Sequence, residues 1–567
     1  MSRRVWEVVL WVLAFNLLVT AAEKRIAKPA VARMSASPMP AAAIKAFQTI
    51  DPEHIRWHVR YLAHDLLEGR GTGQRGGDIA AEYIATQFAE YGLKPAGDNG
   101  TYLQKVPLVG IETTAQTRFA LEPEHGDALQ LTQFNDYVTS DESEQKTSDV
   151  DAPIVFVGYG IAAPEYQWDD YKGVDVRGKI LLMLVNEPPS DDEKFFKGKA
   201  LTYYGRWTYK YEEATRRGAV GTILIHTNEM ATYPWEVVRN SWSGERSYVR
   251  AEGAPRLHAA SWIHLDVATK LARASGLDIG KMLTDARSRD FHPVALPVRL
   301  KAHVESKVRP FFSNNVVAML PGSDSKRSGE AVLYTAHYDH LGIRPEMPGD
   351  HIYNGADDNA TGCGILLELA RAYGSAAQRP ARSIIFSAVT GEEQGLLGSQ
   401  FLGLHPPVAA GKIALDLNYD DVPPLGEVED AEVVGAERTT FYSIVQATAK
   451  DFKLTLRPDA RPEAGHYYRS DHFSMARVGI PSFSVSPGMK YRGHPIEWGL
   501  KEAEDYKNNR YHQPSDEYRS EMDFRSDAAL ARFGFALGWK AASTPGLVGW
   551  LPGDEFEAAR KKTQARE

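Results

Sequence analysis

One cysteine, Cys363, among 567 residues excludes a disulfide framework, a CxxC redox pair and any structural zinc site built from thiolates. There is no basic excess either: 65 Lys and Arg stand against 74 Asp and Glu, a formal charge of −9. No basic tract is present, which argues against nucleic acid as a partner, because phosphate binding needs clustered Lys and Arg. Long apolar runs are also scarce. Val8 to Thr20, broken only by Asn16, falls short of the roughly 20 apolar residues of a membrane span. With Arg3 and Arg4 before it and Thr20, Ala21 and Ala22 after it, the run has the shape of an export signal over residues 1–22. An uncleaved membrane anchor is the alternative. An exported chain with a single Cys fits a bacterial periplasmic or secreted protein, and no stable membrane partner is expected.

What is present is ordinary globular material, 43% hydrophobic and 25% charged. The length allows up to about four domains, with two or three the starting expectation. Residues 23–49 read as a linker, rich in Pro, Ala and Ser from Lys28 to Ala43. Ile55 to Leu67 reads as helix, and Asp78 to Tyr91 puts Ile79, Tyr83, Ile84, Phe88 and Tyr91 on one helical face, with Gly92 placed to end it. Between them Gly71, Gly73 and Gly76 spell GxGxxG. A helix rather than a strand precedes this string, so it reads as a glycine loop and not as a nucleotide site. From about Asp151 short strands separated by turn residues run to about Leu300, with no His and carboxylate cluster. After Asn315 strands and helices alternate. Val332 to Ala336, Ile384 to Val389, Ile413 to Leu417 and Ser482 to Val485 read as buried parallel strands, and Gly364 to Tyr373 as an apolar helix. The fold class expected is α/β, a doubly wound and mostly parallel sheet with an inserted β-rich module.

In such sheets ligands sit at the carboxyl ends of strands, and the polar residues fall there. The first strand runs into His337 and Asp339, the second into Glu392 and Glu393, the third closes on Asp416, and Asp357 and Asp358 open the loop before the apolar helix. His512 follows the last strand in Tyr511-His512-Gln513-Pro514-Ser515-Asp516. Mixed imidazole and carboxylate ligands suit zinc. More acids converge than one ion can satisfy, which suggests two ions about 3.5–4 Å apart sharing a carboxylate.

The strings Ala336-His337-Tyr338-Asp339, Gly355-Ala356-Asp357-Asp358-Asn359-Ala360-Thr361-Gly362, Gly391-Glu392-Glu393, Ser470-Asp471-His472, Gly479-Ile480-Pro481 and Tyr511-His512 resemble, in order and spacing, the co-catalytic di-zinc exopeptidases. That family includes secreted bacterial aminopeptidases, glutamate carboxypeptidase and the glutaminyl cyclases. The resemblance implies two Zn2+ per chain, with His337 and Asp416 on one, Glu393 and His512 on the other, and Asp358 as the bridge. Asp416 is preferred over nearby Asp420 and Asp421 because it directly continues the buried strand. Asp339 would orient His337, Glu392 would be the general base, and Tyr467, with Tyr468 as competitor, would donate to the oxyanion. Asp471 and His472 read as loop-structuring residues, Cys363 as a small buried hydrophobe, and His54, His58 and His64 as solvated or packed side chains.

Val155 to Gly160, Trp168 to Tyr171 and Gly178 to Ile180 resemble a protease-associated domain. The layout expected is therefore signal 1–22, linker 23–49, first peptidase part 50–150, insert 151–300, metal-binding part 301–545 and charged tail 546–567. The activity implied is an exported aminopeptidase acting on peptides. A carboxypeptidase or dipeptidase on the same core is the alternative, with a cyclase or a non-catalytic binding protein behind it. Oligomeric state is open.

Overall fold

The computed structural model describes residues 38–565 except 252 and 346–348. The signal expected at 1–22 and the linker up to residue 37 lie outside the described residues. The rest of the linker is not extended chain: α1 (Ala41–Gln48) buries Ala43 and Ala46 against the main core. Helix α2 (Pro52–Leu62) starts at Asp51, whose carboxylate accepts from the Glu53 amide, with proline at the first turn where its missing N–H costs nothing. Helix α3 (Arg75–Glu90) buries Ala80, Ala81, Ile84 and Phe88 and is followed by Gly92 at φ +74°, the left-handed position a C′ glycine takes freely. The loop joining α2 to α3 carries Gly71 and Gly73 of GxGxxG, and Gly76 falls in the first turn of α3. A Cβ on Gly76 would lie 1.7 Å from the Leu67 carbonyl oxygen, so this glycine serves close backbone packing.

Strand β1 (Leu103–Thr113) leads into a second unit. It contains β2 (Arg118–Pro123), β3 (Tyr137–Ser140), β4 (Thr147–Phe156), β5 (Ile180–Leu184), helix α4 (Trp207–Arg216), β6 (Gly221–His226) and β7 (Ala259–His264). Strands β4, β5, β6 and β7 are parallel neighbours, and β3 closes that edge antiparallel to β7. Phe119, Leu121, Tyr137 and Val150 belong to the apolar cluster of this unit. The change of texture read at Asp151 therefore comes some thirty residues late: β2 to β4 already bury apolar side chains in the cluster of this unit. The unit is also α/β rather than simply β-rich.

The long strand β8 (Val294–Leu320) belongs to both sheets. Residues 294–305 pair antiparallel with β4, and 306–316 with β1. Its end, Val316–Leu320, pairs antiparallel with β10 (Ser383–Val389). Strand β9 (Ala331–His337), helix α6 (Thr361–Gly374) and β10 form a parallel unit, α5 (Leu265–Ala274) lying in the insert before them, and β11 (Ile413–Asn418) pairs parallel with β9. Helix α7 (His472–Arg477), β12 (Ser482–Ser484) parallel to β11, and helices α8 (Ile496–Asn509) and α9 (Arg525–Ser543) complete the sheet and its cover. The order is β12-β11-β9-β10-β8. Every residue of β9, β10 and β11 is buried, because α6 and α9 cover the sheet and the apolar runs face packing on both sides.

Helix α10 (Glu557–Gln564) follows a segment that is not the solvated tail its charge suggests. Trp550 and Phe556 are buried, and Arg438 donates to Asp554 and Glu555. Among the described residues no helix is long and apolar enough to cross a membrane.

One side chain fixes three of these segments. Arg70 is fully buried, and its guanidinium donates to the carbonyls of Leu62 at 2.6 Å, Tyr338 at 2.6 Å, Asn354 at 2.5 Å and Gly355 at 2.8 Å. Arg70→Met keeps volume but orphans four buried carbonyls. The expected cost is on the order of 3 kcal/mol or more, read as a lower unfolding midpoint. Arg70→Lys should recover only part, since an ammonium lacks the planar fork.

Candidate metal centre

Strand β9 ends on His337, and the next three residues turn across the rim of the sheet. The His337 Nε2 lies 3.3 Å from Asp358 Oδ1 and 3.2 Å from Asp420 Oδ1, and its Nδ1 lies 3.2 Å from the backbone oxygen of Asp339. A carbonyl only accepts, so Nδ1 carries the proton in the neutral ring. The Nε2 lone pair then faces two carboxylate oxygens, which also only accept. Such an arrangement requires a proton or a cation between them. Burial lowers the His337 pKa, but Asp420 and Glu392 outweigh burial and hold it well above the usual value.

A second group shares Asp358. Its Oδ2 is 3.3 Å from His512 Nε2, which lies 3.1 Å from Glu393 Oε2. His340 Nδ1 is 2.5 Å from Glu393 Oε1 and 4.0 Å from Asp358 Oδ2. Yet neither ring nitrogen of the buried His340, nor Glu393 Oε1, has a hydrogen-bond partner. Unsatisfied nitrogen and oxygen lone pairs around one point are what a divalent cation fits. The two groups able to hold an ion are His337 with Asp358 and Asp420, and His340 with Asp358 and Glu393.

The carboxylates are pushed apart in acidity. Burial raises Asp358, but hydrogen bonds from His337 and His512 hold it well below the ordinary carboxylate range. Burial raises Glu392 far above that range, and Glu393, Asp420 and Asp471 add to the rise against His337. Burial lowers His512, and bonding to Asp358 and Glu393 more than offsets it, raising the ring to about 10.

Backbone anchors set this geometry. The Asp516 carboxylate accepts from the amides of Asp357 at 3.0 Å and Asp358 at 3.1 Å, while its carbonyl accepts from Ala356 at 3.0 Å. Asn359 donates to the Tyr419 carbonyl at 2.9 Å. Ser470 Oγ donates to Asp420 Oδ2 at 2.5 Å and accepts from Asn418. Asp339 accepts from Thr72 at 2.8 Å and from the Glu392 amide at 3.2 Å.

Five expected residues thus meet: His337, Asp358, Glu393, His512 and Glu392. Asp416 does not join them. It lies inside β11, accepts from Thr335 at 3.1 Å, and burial, with Asp471 adding to it, holds its pKa well above the usual carboxylate value. The strand continues to Asn418, and Asp420 is the first carboxylate beyond its end, facing His337. Tyr467 is also displaced from its expected role. Its hydroxyl donates to the Ser482 carbonyl at 3.1 Å under the Arg438 guanidinium, and the Tyr468 hydroxyl donates to Glu555 at 2.7 Å. Asp339 reaches His337 through its backbone oxygen, its carboxylate lying 3.9 Å away and serving Thr72 and Glu392. His340, next in line after Asp339, and Asp516 and Ser470 were visible only as members of the quoted strings or their flanks. Cys363 donates to the His337 carbonyl at 3.1 Å, and burial pushes its thiol up to about 12, so it behaves as a buried hydrophobe.

Residues 315–533 match the model of Peptidase family M28. Over 185 residues the chain is 32% identical to a probable zinc metalloprotease of Pyrenophora tritici-repentis, covering 32% of this chain and 38% of the relative. Over 202 residues it is 32% identical to leucine aminopeptidase 1 of Arthroderma otae, covering 33% and 51%. The chain thus spans about two fifths to one half of the length of these curated relatives. A solved aminopeptidase from Aneurinibacillus sp. strain AM-1 aligns over 90% of this chain and 98% of its own, at TM-score 0.44 and 18% identity.

Exchanging the two aspartates in turn separates ligand from scaffold. Asp420→Asn should weaken divalent-metal binding by more than about 100-fold, since even outer partners of a ligand are worth 10- to 100-fold. Asp416→Asn, replacing an acid that burial holds protonated, should leave affinity within about twofold. Competition with a chromophoric chelator measures both.

Proposed function

We propose that this chain, whose residues 315–533 carry the pattern of Peptidase family M28, is a zinc-dependent exopeptidase that removes amino-terminal residues from peptides. The observation that carries the reading is Asp358 facing His337 with one oxygen and His512 and His340 with the other, beside Glu392. His337, Asp358 and Asp420 would hold one ion, and Asp358, Glu393 and His512, with His340 against them, a second. Zinc held there supplies Lewis acidity, polarising a carbonyl oxygen and making water a better nucleophile near neutral pH.

The side chains do the rest. Glu392 accepts a proton from the attacking water on its carboxylate and returns it to the leaving amine nitrogen. Its raised pKa suits both halves of that transfer, because a weaker carboxylic acid is a stronger base. Asp339 holds the Glu392 backbone and His337 in register, and Arg70 and Asp516 keep the Asp358 loop from drifting. The lowered pKa of Asp358 keeps that residue ionised for coordination, while Glu392, whose pKa is raised, exchanges protons. The signal-like segment at 1–22 supports an exported protein, periplasmic or secreted.

Glu392→Gln should retain metal and lose on the order of 10² to 10⁴ in turnover; turnover close to that of the parent would remove Glu392 from the reaction. Metal analysis of the purified chain should return two zinc equivalents, and a single tight equivalent would defeat the paired site. Cleavage of a leucine anilide, with no cleavage of its amino-blocked form, is the expected result for an aminopeptidase.

A further inference from the structure

Helices α2 and α3 are bridged by side chains at the surface of the catalytic unit. The rings of Tyr61 and Tyr83 stack at 4.1 Å, the Tyr83 hydroxyl lies 2.9 Å from His58 Nδ1, and the Tyr91 hydroxyl lies 3.2 Å from His58 Nε2. His58 is buried beneath them. Between the two helices the surface is hollow: a groove of about 570 Å³ has Tyr61, Ile79 and Tyr83 as its apolar lining and Arg75, Asp78 and Glu82 as its charged edge. Spacing in α3 puts these side chains together, since residues three and four apart are neighbours on a helix.

Beside the groove stands a knob. Trp57 is 52% exposed and Tyr61 40%, one turn apart on α2, and the exposed Arg60 between them holds its guanidinium 5.6 Å from the Trp57 ring centre. Leu66, also exposed, extends the apolar strip past the helix end. Elsewhere exposed rings are engaged: Lys105 lies 3.7 Å over Phe312, and Tyr511 stacks on His512 at 3.9 Å. A contiguous strip of exposed aromatic and aliphatic side chains marks an interaction surface.

The charges of knob and groove are complementary. Arg75 is paired with Glu68, and Arg56 with Glu53. Among the described residues, Asp78 and Glu82 at the groove and Arg60 at the knob have no ion-pair partner. The groove is thus aromatic and acidic, the knob aromatic and basic, and the two share one surface. Two-fold association needs this combination, because the same patch must serve both copies.

We propose that α2 and α3 form the interface of a symmetric dimer of this chain, in which Trp57 and Arg60 of each copy enter the groove between α2 and α3 of the other. With the two α2 helices antiparallel and the two-fold axis between Trp57 and Tyr61, each Trp57 meets Tyr61 of the other copy. Arg60 then reaches Asp78 and Glu82 at the edge of the other copy's groove. Aromatic and arginine side chains at the centre of an interface are where binding energy concentrates. Association also steadies what lies behind it, since Arg70, in the loop that follows α2, donates to the carbonyls of Leu62, Asn354 and Gly355.

Sedimentation equilibrium of the full chain over about 0.1–100 μM tests this, with the mass expected to rise from one chain to two. Trp57→Ala should raise the dissociation constant at least about 30-fold. Arg60→Glu and Glu82→Lys should each weaken the dimer by about 10- to 100-fold, and the two together should restore most of the affinity, because the pair re-forms with its signs exchanged. Association through the apolar run Val8 to Thr20 would not answer to that exchange. All three positions are exposed, so folding is not at stake. The unfolding midpoint should rise with protein concentration for the parent and stay level for Trp57→Ala. A parent that remains one chain throughout overturns the dimer, whether the patch is then covered by phosphatidylglycerol vesicles or by the chain's own amino-terminal segment. A dimer indifferent to all three substitutions overturns this interface, and so does one that the double exchange fails to restore.

Discussion

The metal centre depends on a guanidinium that never touches it. Arg70 reaches from the loop after α2 and gathers carbonyls from the end of that helix, from the residue after His337 and from the two residues before Ala356. A carboxylate or an amide could not do this, because only arginine offers five donors in one rigid plane. The segments it joins are far apart in sequence, and two of them lead directly into ligands. Asp516 works from the other side, receiving the amides of Asp357 and Asp358. The loop bearing Asp358 is thereby held by its carbonyls at one end and its amides at the next, leaving the side chain free to face both imidazole groups. One anchor also tempers the other: burial lowers the pKa of Arg70, and Asp516, Asp339 and Asp358 work against that fall.

A second constraint acts at larger scale. Because β8 runs unbroken through both sheets, the insert cannot be displaced without bending a strand paired along most of its length. The carboxyl-terminal segment adds a clasp on the opposite side. Glu555, buried, accepts from Tyr468 and Arg438 of the catalytic unit and from the Tyr203 amide of the insert. Burial opposes its ionisation, yet Lys197 and Arg438 bring it below its usual value. Cutting one partner from such a network strands a buried charge, so the network holds the insert loop against the catalytic unit.

Sequence pattern located the strands and most of the rim because both obey short-range rules. Apolar runs of β9, β10 and β11 could only be covered strands, and chemistry-bearing residues at their ends follow from how such sheets twist. What failed was one step along the chain. Asp416 and Asp420 are both acids near the end of β11, and the choice turned on where the strand stops. It stops two residues beyond Asp416, at Asn418, and alternation then leaves Asp416 inside with Thr335 while Asp420 clears the sheet. Tyr467 failed for a different reason: its hydroxyl is taken by the Ser482 carbonyl, a pairing set by long-range packing that no local pattern encodes. The insert boundary and the buried tail share this cause. Charge in Asp554 and Glu555 signals solvent unless a partner such as Arg438, more than a hundred residues away, is known.

The same distinction explains how one rim can hold several acids with different tasks. Asp416 and Asp358 are both buried aspartates, and burial acts on each in the same direction. They end far apart because Asp358 receives two imidazoles whereas Asp416 receives a threonine hydroxyl and the field of Asp471. Glu392 is buried too, near His337 but among Glu393, Asp420 and Asp471, and its pKa is held well above the usual carboxylate value. The partner set, more than the depth of burial, divides these side chains into one kept ionised to hold a cation, one kept ready to take up a proton, and one kept neutral to support the strand beneath them.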